Sequence, residues 1–346
     1  MLLTGYRPRL PCYPGSNHAE PKSNRGIRRV LWPGAHRAVM VIATNLKIGR
    51  IPHLDRFLAD TPRAVAGWGR KRSGHRALRW AQWLGRPVAL LEDGFIRSVA
   101  RSDPALSLIV DGVGVYYDAT APSGMEAAIA AGVDAAQAKR SVALTALWRS
   151  GAISKYNHSR DYAGPLPMQY VLVVDQTWGD LSVALGLADQ SSFRAMLRAA
   201  LAENPTGAVV VKVHPDVFSH ARRGWLPADL LADPRVTLIG SDCHAASLLR
   251  GADKVYAVTS LMGFEALLWG KPVRCFGMPF YAGWGLTGDD LPAPVRRGAA
   301  TLAALVHAAL VSHARYVDPA SGASWQVEEA IAHVANARRL RRETPA

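Results

Sequence analysis

Apolar residues fall along the chain in short β-branched runs separated by amphipathic stretches, the pattern of strands alternating with helices. Residues 39–43, 63–67 and 88–91 read as strands, with a helix from about 74 to 84 between the last two. Residues 106–110 and 113–117 follow as a predicted pair of strands joined by the Asp111-Gly112 turn, and helical patterning then runs over 124–149. Residues 157–167, with Gly164, Pro165 and Pro167, read as an interdomain linker. Beyond it the alternation restarts. Strands are predicted at 170–174, 208–213, 236–239, 255–258 and 273–276, with helices at 192–201, 245–250 and 263–269. Two amphipathic segments, 302–314 and 325–342, close the chain. Uninterrupted runs such as Val209, Val210 and Val211 mark strands buried on both faces of a parallel sheet. The predicted fold class is α/β, with two doubly wound Rossmann-type domains over 38–160 and 168–346. Residues 1–37, rich in proline and arginine, are expected to be an extended or disordered basic tail, with order starting at Ala38.

The polar chemistry concentrates where these strands end, the edge at which open α/β sheets bind ligands. GAVVVKVHPD at 207–216 leaves Lys212 and His214 there as candidate binders of an anion; the plain alternative is a pair of solvated strand-end groups. LLEDG at 90–94 places Glu92 and Asp93 at another strand end, or simply makes a turn at Gly94. In VLVVDQTWGDLS, 171–182, Asp175 ends a strand and Asp180 follows in the loop, where alone it reads as a helix N-cap. VTSLMGFEALLWGKPV, 258–273, delivers Thr259 and Ser260 to a helix start. Hydroxyls, unpaired N–H groups and the helix dipole make that a phosphate seat, and Glu265 is placed to reach ribose hydroxyls. An ordinary Ser-capped helix with an exposed Glu is the alternative. What favours chemistry is convergence, since Asp180, His214 and Ser260 all fall at one edge of one sheet.

A chain of 346 residues, 49% hydrophobic, has material for two full cores. Its formal charge of +14 points to anionic partners: nucleic acid, an anionic membrane surface or a phosphorylated substrate. The arginines are scattered, densest at 25–37, 63–86 and 338–342, without interleaved aromatics, so nucleic acid is not expected as a partner. Cys12, Cys243 and Cys275 lack metal-ligand spacing, and their odd number fits a reducing, cytoplasmic setting. No His, Cys or carboxylate cluster argues for a metal. No apolar stretch reaches the roughly 20 residues of a membrane span, so any membrane contact is expected to be peripheral.

EDGFIRS at 92–98, VVDQTWGDLS, VKVHPD and TSLMGFEALLWGKPVRCFGMPFYAGWGLT at 259–287 together resemble the capsular polysaccharide β-Kdo transferases of the KpsC type. The similarity starts near IGRIPHL at 48–54, includes LSLIVDGVGVYYDATAPS at 106–123, and extends to the last helix. It implies a GT-B fold, CMP-β-Kdo as donor with no further cofactor, and a β-Kdo-bearing (lyso)phosphatidylglycerol acceptor. The reaction it implies proceeds with retention, at the poly-Kdo linker that roots a capsule. Family members carry two modules, whereas this chain has one set of motifs, most like the first, 2→4 module. The implied partners are CMP-Kdo, the lipid-linked acceptor, the anionic inner leaflet and other capsule-assembly proteins.

By position in these motifs Asp180 is the candidate nucleophile, and Glu92 or Asp93 the base that activates the acceptor hydroxyl. Lys212, His214, Thr259 and Ser260 are assigned to the CMP phosphate, Glu265 to the donor, and Arg97 to the cation between Asp180 and the Kdo carboxylate. Tyr281 and Trp284 form a sugar wall or pack in the core. Two other readings stay open: a sialyltransferase-like enzyme using another CMP-activated acidic sugar, and a non-catalytic subunit of the capsule assembly.

Overall fold

Two sheets organise the chain, each grown from the buried apolar runs. A computed structural model describes residues 28–30, 41–213, 217 and 224–343. The second sheet is the simpler. Strands β6 (Tyr170–Val174), β7 (Ala208–Lys212), β8 (Val236–Ile239), β9 (Lys254–Ala257), β10 (Val273–Cys275) and β11 (Gly288–Asp289) are all parallel, in the order β11-β10-β9-β6-β7-β8. The chain runs outward from β6 on one side, then crosses to β9 on the other, so the order reverses between β6 and β9. Helix Gln190–Glu203 starts at an Asp189/Ser192 capping box and buries Phe193, Met196, Leu197, Ala200 and Leu201, one stripe at helical spacing. That stripe packs on Val171, Val173, Val209 and Val211.

The first sheet is mixed: β1 (Arg28–Val30), β2 (Val41–Ala43), β3 (Val65–Trp68), β4 (Val88–Asp93), β5 (Ser107–Asp111), β12 (Ala314–Val317) and β13 (Ser324–Trp325), in that spatial order. Strands β2, β3 and β4 are parallel, and helix Arg72–Leu84 crosses from β3 to β4.

Four expectations are corrected. First, the 1–37 tail is not wholly outside the fold, because β1 pairs antiparallel with β2 and covers that edge. The rest of that segment lies outside the described residues. Second, 113–117 is no strand. The Asp111 carboxylate accepts the N–H groups of Val113 (2.8 Å), Gly114 (3.1 Å) and Met125 (3.2 Å), turning the chain away from the sheet. Third, the 124–149 helix is two, Gly124–Ala131 and Ala135–Ser150, separated at Gly132 (φ 75°) and restarted by an Asp134/Gln137 capping box.

Fourth, the boundary of the second domain moves. The edge of β5 not paired with β4 takes β12 antiparallel, with Ala314 opposite Ile109, so 302–343 returns to the first sheet. Helix Leu302–His307 and the π turn Ala308–Ser312 that continues it then pack on the two helices of 124–150. One apolar cluster runs through both halves. At its centre Phe95 stacks on Phe280 (5.1 Å, 19°) and touches Tyr116 and Phe264.

Candidate active site

Strand ends from both sheets open on one cleft of about 610 Å³, a size usual for a small-molecule site. On the side of the second sheet, β6 ends in Asp175 and Gln176, both buried. Asp175 accepts the N–H groups of Gln176 (2.9 Å) and Trp225 (3.2 Å), and burial pushes its carboxyl up to about 6. The Gln176 amide oxygen accepts the Thr259 N–H at 3.0 Å while its nitrogen lies 3.0 Å from the Thr259 hydroxyl. This cross-ties the loops after β6 and β9, at the place where strand order reverses. Past Gly179 (φ 84°) the loop delivers Asp180, exposed on the cleft, whose carboxylate accepts the Ser182 N–H at 2.9 Å and caps helix Leu181–Leu185. Ser260 caps helix Leu261–Leu268 in the same way through Met262, and Thr259 and Ser260 both line the cleft. Lys212, at the end of β7, also lines it. Its buried ammonium donates to the carbonyls of Val213 (2.7 Å) and Ser241 (3.1 Å), and burial holds its pKa below that of an ordinary lysine.

On the side of the first sheet, β4 brings up Glu92. The Tyr117 hydroxyl donates to Glu92 Oε1 at 2.7 Å and accepts the Arg70 N–H at 3.3 Å. Burial raises the Glu92 carboxyl to about 7, against the lowering pull of Tyr117, Lys155 and Lys71. Gly69, at φ 37°, lies against this carboxylate, and a Cβ there would stand 1.8 Å from Glu92 Oε1, so only glycine fits. Burial and the carboxylates of both Glu92 and Asp180 hold the proton on Tyr117.

Glu265 forms part of the cleft floor and is buried. Its oxygens accept the Ser154 hydroxyl (2.8 and 2.9 Å) and the Lys155 N–H (3.1 Å), and burial raises it to about 7. The exposed-Glu alternative therefore does not hold. This carboxylate ties helix Leu261–Leu268 to the chain leaving the first domain.

Several expected residues are elsewhere. Arg97 donates to the Asp103 carbonyl (2.7 Å) and pairs with Asp93 (3.5 Å), and neither Arg97 nor Asp93 lines the cleft. The Asp93 alternative to Glu92 is therefore spent in an ion pair. Tyr281 and Trp284 are core residues, not a wall. The Tyr281 hydroxyl donates to the Ser260 carbonyl at 2.5 Å against Gly263, and the Trp284 indole donates to the Phe280 carbonyl at 2.8 Å. Pro279 and Phe280 face the cleft instead. His214 lies outside the described residues. Sequence reasoning missed Gln176, Ser154, Lys155, Tyr117 and Trp178, all on the cleft. Gln176, Trp178 and Tyr117 sit inside the motifs quoted above; Ser154 and Lys155 carry no local signal.

The raised carboxyls have a measurable consequence. A group whose folded pKa is raised stabilises fully below its unfolded value and loses that contribution as pH rises through the folded one. For Glu265 that window runs from 4.5 to about 7. Glu265→Gln keeps an acceptor for Ser154 and never ionises. Its melting temperature should gain on the parent as pH rises through this window, and parallel curves would contradict the burial effect.

Two Rossmann-type sheets with their strand ends facing across a cleft define a GT-B-like α/β architecture. The chain belongs to the capsule polysaccharide biosynthesis protein family, whose model matches residues 63–160 and 155–317. It is 37% identical over 320 residues to the capsule polysaccharide modification protein LipA of Neisseria meningitidis serogroup A, covering 84% of this chain and 45% of LipA. It is 35% identical over 294 residues to the lipopolysaccharide-processing protein LpsZ of Rhizobium meliloti, covering 81% and 65%. The chain thus spans about half the length of LipA. Among solved structures it is similar to the β-Kdo 2,4 transferase of Thermosulfurimonas dismutans KpsC, with a TM-score of 0.77 and 39% identity over 85% of this chain and 97% of that one. The β-Kdo 2,7 transferase of the same KpsC gives 0.61 and 31%, over 80% and 86%.

Proposed function

We propose that this chain is a retaining β-Kdo glycosyltransferase, moving Kdo from CMP-β-Kdo to a β-Kdo-terminated, lipid-linked acceptor in capsule linker synthesis. The observation that carries the assignment is that Asp180 and Glu92, from opposite sheets, line one cleft with Thr259 and Ser260. Likeness to the KpsC modules supports the sugar, and the better match to the 2,4 module supports a 2→4 linkage.

Asp180 attacks the anomeric carbon of Kdo, and the bond to the CMP phosphate breaks with its electron pair leaving on the phosphate oxygen. CMP departs as a stable phosphate monoester, so it needs positive potential more than a proton. Lys212, the Thr259 and Ser260 hydroxyls and the N–H groups at the start of helix Leu261–Leu268 supply it, with His214 assigned the same role from its motif. The acceptor hydroxyl then attacks the glycosyl–Asp180 ester as Glu92 takes its proton, and Asp180 is released. Two inversions give retention. The Kdo carboxylate beside the reacting carbon calls for a cation. Lys155 takes the place first given to Arg97, because it lines the cleft and acts on both Glu92 and Glu265. Trp178, stacked on Trp225 at 3.9 Å, and Phe280 are the walls on which the sugar rests.

The test is incubation with CMP-Kdo generated in situ and a synthetic β-Kdo acceptor, followed by NMR of the product. A single β-linked 2→4 Kdo is expected. CMP release from CMP-sialic acid but not from CMP-Kdo would move the assignment to another acidic sugar, and release from neither would favour a binding subunit.

Glu92 must be ionised to act as base, so the rate should rise with pH through about 7. Glu92→Gln should lower kcat by about 10²–10⁴. Tyr117→Phe removes a hydrogen bond that favours the carboxylate and should shift the acid limb of the pH–rate profile upward. An unmoved limb would take Tyr117 out of this role.

A further inference from the structure

The +14 charge suggested docking on an anionic membrane, with the RRLRRE segment of the last helix as the obvious contact. The structure buries one of those arginines and ties a second, exposed one to a backbone carbonyl. In helix Val327–Glu343, Arg338 is buried and pairs with Asp161 at 2.9 Å, and Arg341 donates to the His158 carbonyl at 3.0 Å.

Helix Arg72–Leu84 is different. It buries Ala77 and Ala81, with Trp80 half-buried, against Ile42, Val65 and Val88. Its outer stripe, at i, i+4, i+7 and i+11, is Arg72, Arg76, Arg79 and Trp83, all exposed, with His75 beside it. Trp83 is 80% exposed, and Leu84 next to it is 38% exposed. No acidic residue occurs between Arg70 and Arg86. Arg76 already donates to the Thr44 carbonyl and lies over the Trp80 ring, which leaves Arg72 and Arg79 as the outward cations. A basic face ending in an exposed indole is the composition of a helix that lies in the headgroup layer of an anionic bilayer. Among the described residues no helix is long and apolar enough to cross a membrane.

We propose that the outer face of helix Arg72–Leu84 is a docking surface for an anionic lipid bilayer. The helix begins beside Lys71, which lines the cleft with Glu92, so docking sets the acceptor side of the cleft at the membrane surface. The inference rests on the proposed function only for the benefit of that placement.

The test is co-sedimentation of the full chain with vesicles of phosphatidylglycerol and phosphatidylcholine, against phosphatidylcholine alone. Binding should require the anionic lipid and weaken with salt. Arg72→Gln/Arg79→Gln should weaken it about 25-fold, at roughly fivefold per charge, and Trp83→Ser should weaken it further. Circular dichroism should match the parent, as should transfer to a water-soluble acceptor if the chain is a transferase. Arg339→Gln/Arg341→Gln should bind as the parent does. Equal binding to neutral vesicles, undiminished binding by the stripe variants, or a loss confined to the tail variant would overturn the proposal. So would tighter binding of the stripe to duplex or single-stranded nucleic acid than to vesicles. Lipid binding is read without turnover, so an inactive chain that still docks separates this inference from the proposed reaction.

Discussion

Asp180→Asn should abolish transfer while leaving the protein as stable as the parent. The asparagine oxygen still accepts the Ser182 N–H, and asparagine is as good an N-cap as aspartate, so the start of helix Leu181–Leu185 is kept. An amide cannot form the glycosyl ester, and kcat is expected to fall by at least about a thousandfold. Asp180→Ala should be equally inactive and also lose the cap, at about 1 kcal/mol. The pair therefore separates chemistry from folding, since both variants are inactive and only one is less stable. CMP release and thermal melting measured side by side read this out, and near-parental turnover by Asp180→Asn would remove Asp180 as nucleophile.

The largest effect on stability is expected at Glu126, which does not line the cleft. Its carboxylate, on helix Gly124–Ala131, accepts from Arg296 at 2.5 Å and Arg297 at 2.6 Å. The Arg297 side chain is 2% exposed, lies over the Trp284 ring, and donates also to the carbonyls of Pro279 and Ala282. Removing one partner of a buried pair strands the other charge, at about 3–5 kcal/mol. Glu126→Ala should lower the denaturant midpoint accordingly. The segment holding Pro279 and Phe280 on the cleft is anchored through the same guanidinium, so donor KM should rise with the loss of stability. A midpoint unchanged from the parent would mean that the backbone carbonyls alone hold Arg297.

The second sheet was readable because its strands are buried on both faces and appear as unbroken valine-rich runs, each ending in polar residues at the ligand-binding edge. Asp180, Lys212, Thr259 and Ser260 were found by that rule, and the cleft brings them together. Glu92 was found too, but its separation from Asp93 needed coordinates, because adjacent residues on a strand point to opposite faces. The first sheet was harder. Strand β12 continues directly from a helical pattern, and nothing local says that Ala314–Val317 pairs with a strand from the first third of the chain. Likewise the alternating apolar residues of 113–117 suggest a strand until the Asp111 carboxylate is seen to capture the turn. Tyr281 and Trp284 stayed undecided between wall and core because an aromatic-rich, glycine-rich loop looks the same whether its rings line a pocket or fill a core. Lys155 and Gln176 act through partners distant in sequence, and pattern alone cannot show such pairs.

The return of β12 and β13 to the first sheet bears on how the protein is made. As the chain leaves the ribosome, β5 emerges with one edge bare and stays so until Ala314–Val317 has been translated. The parallel sheet is contiguous in sequence from Tyr170 to Asp289 and has all its strands first. The later-encoded half is therefore the one able to finish folding early, and the earlier-encoded half must wait beside it. A chain truncated shortly before Ala314 would keep every cleft residue named above yet expose an unpaired strand edge, a template for aggregation.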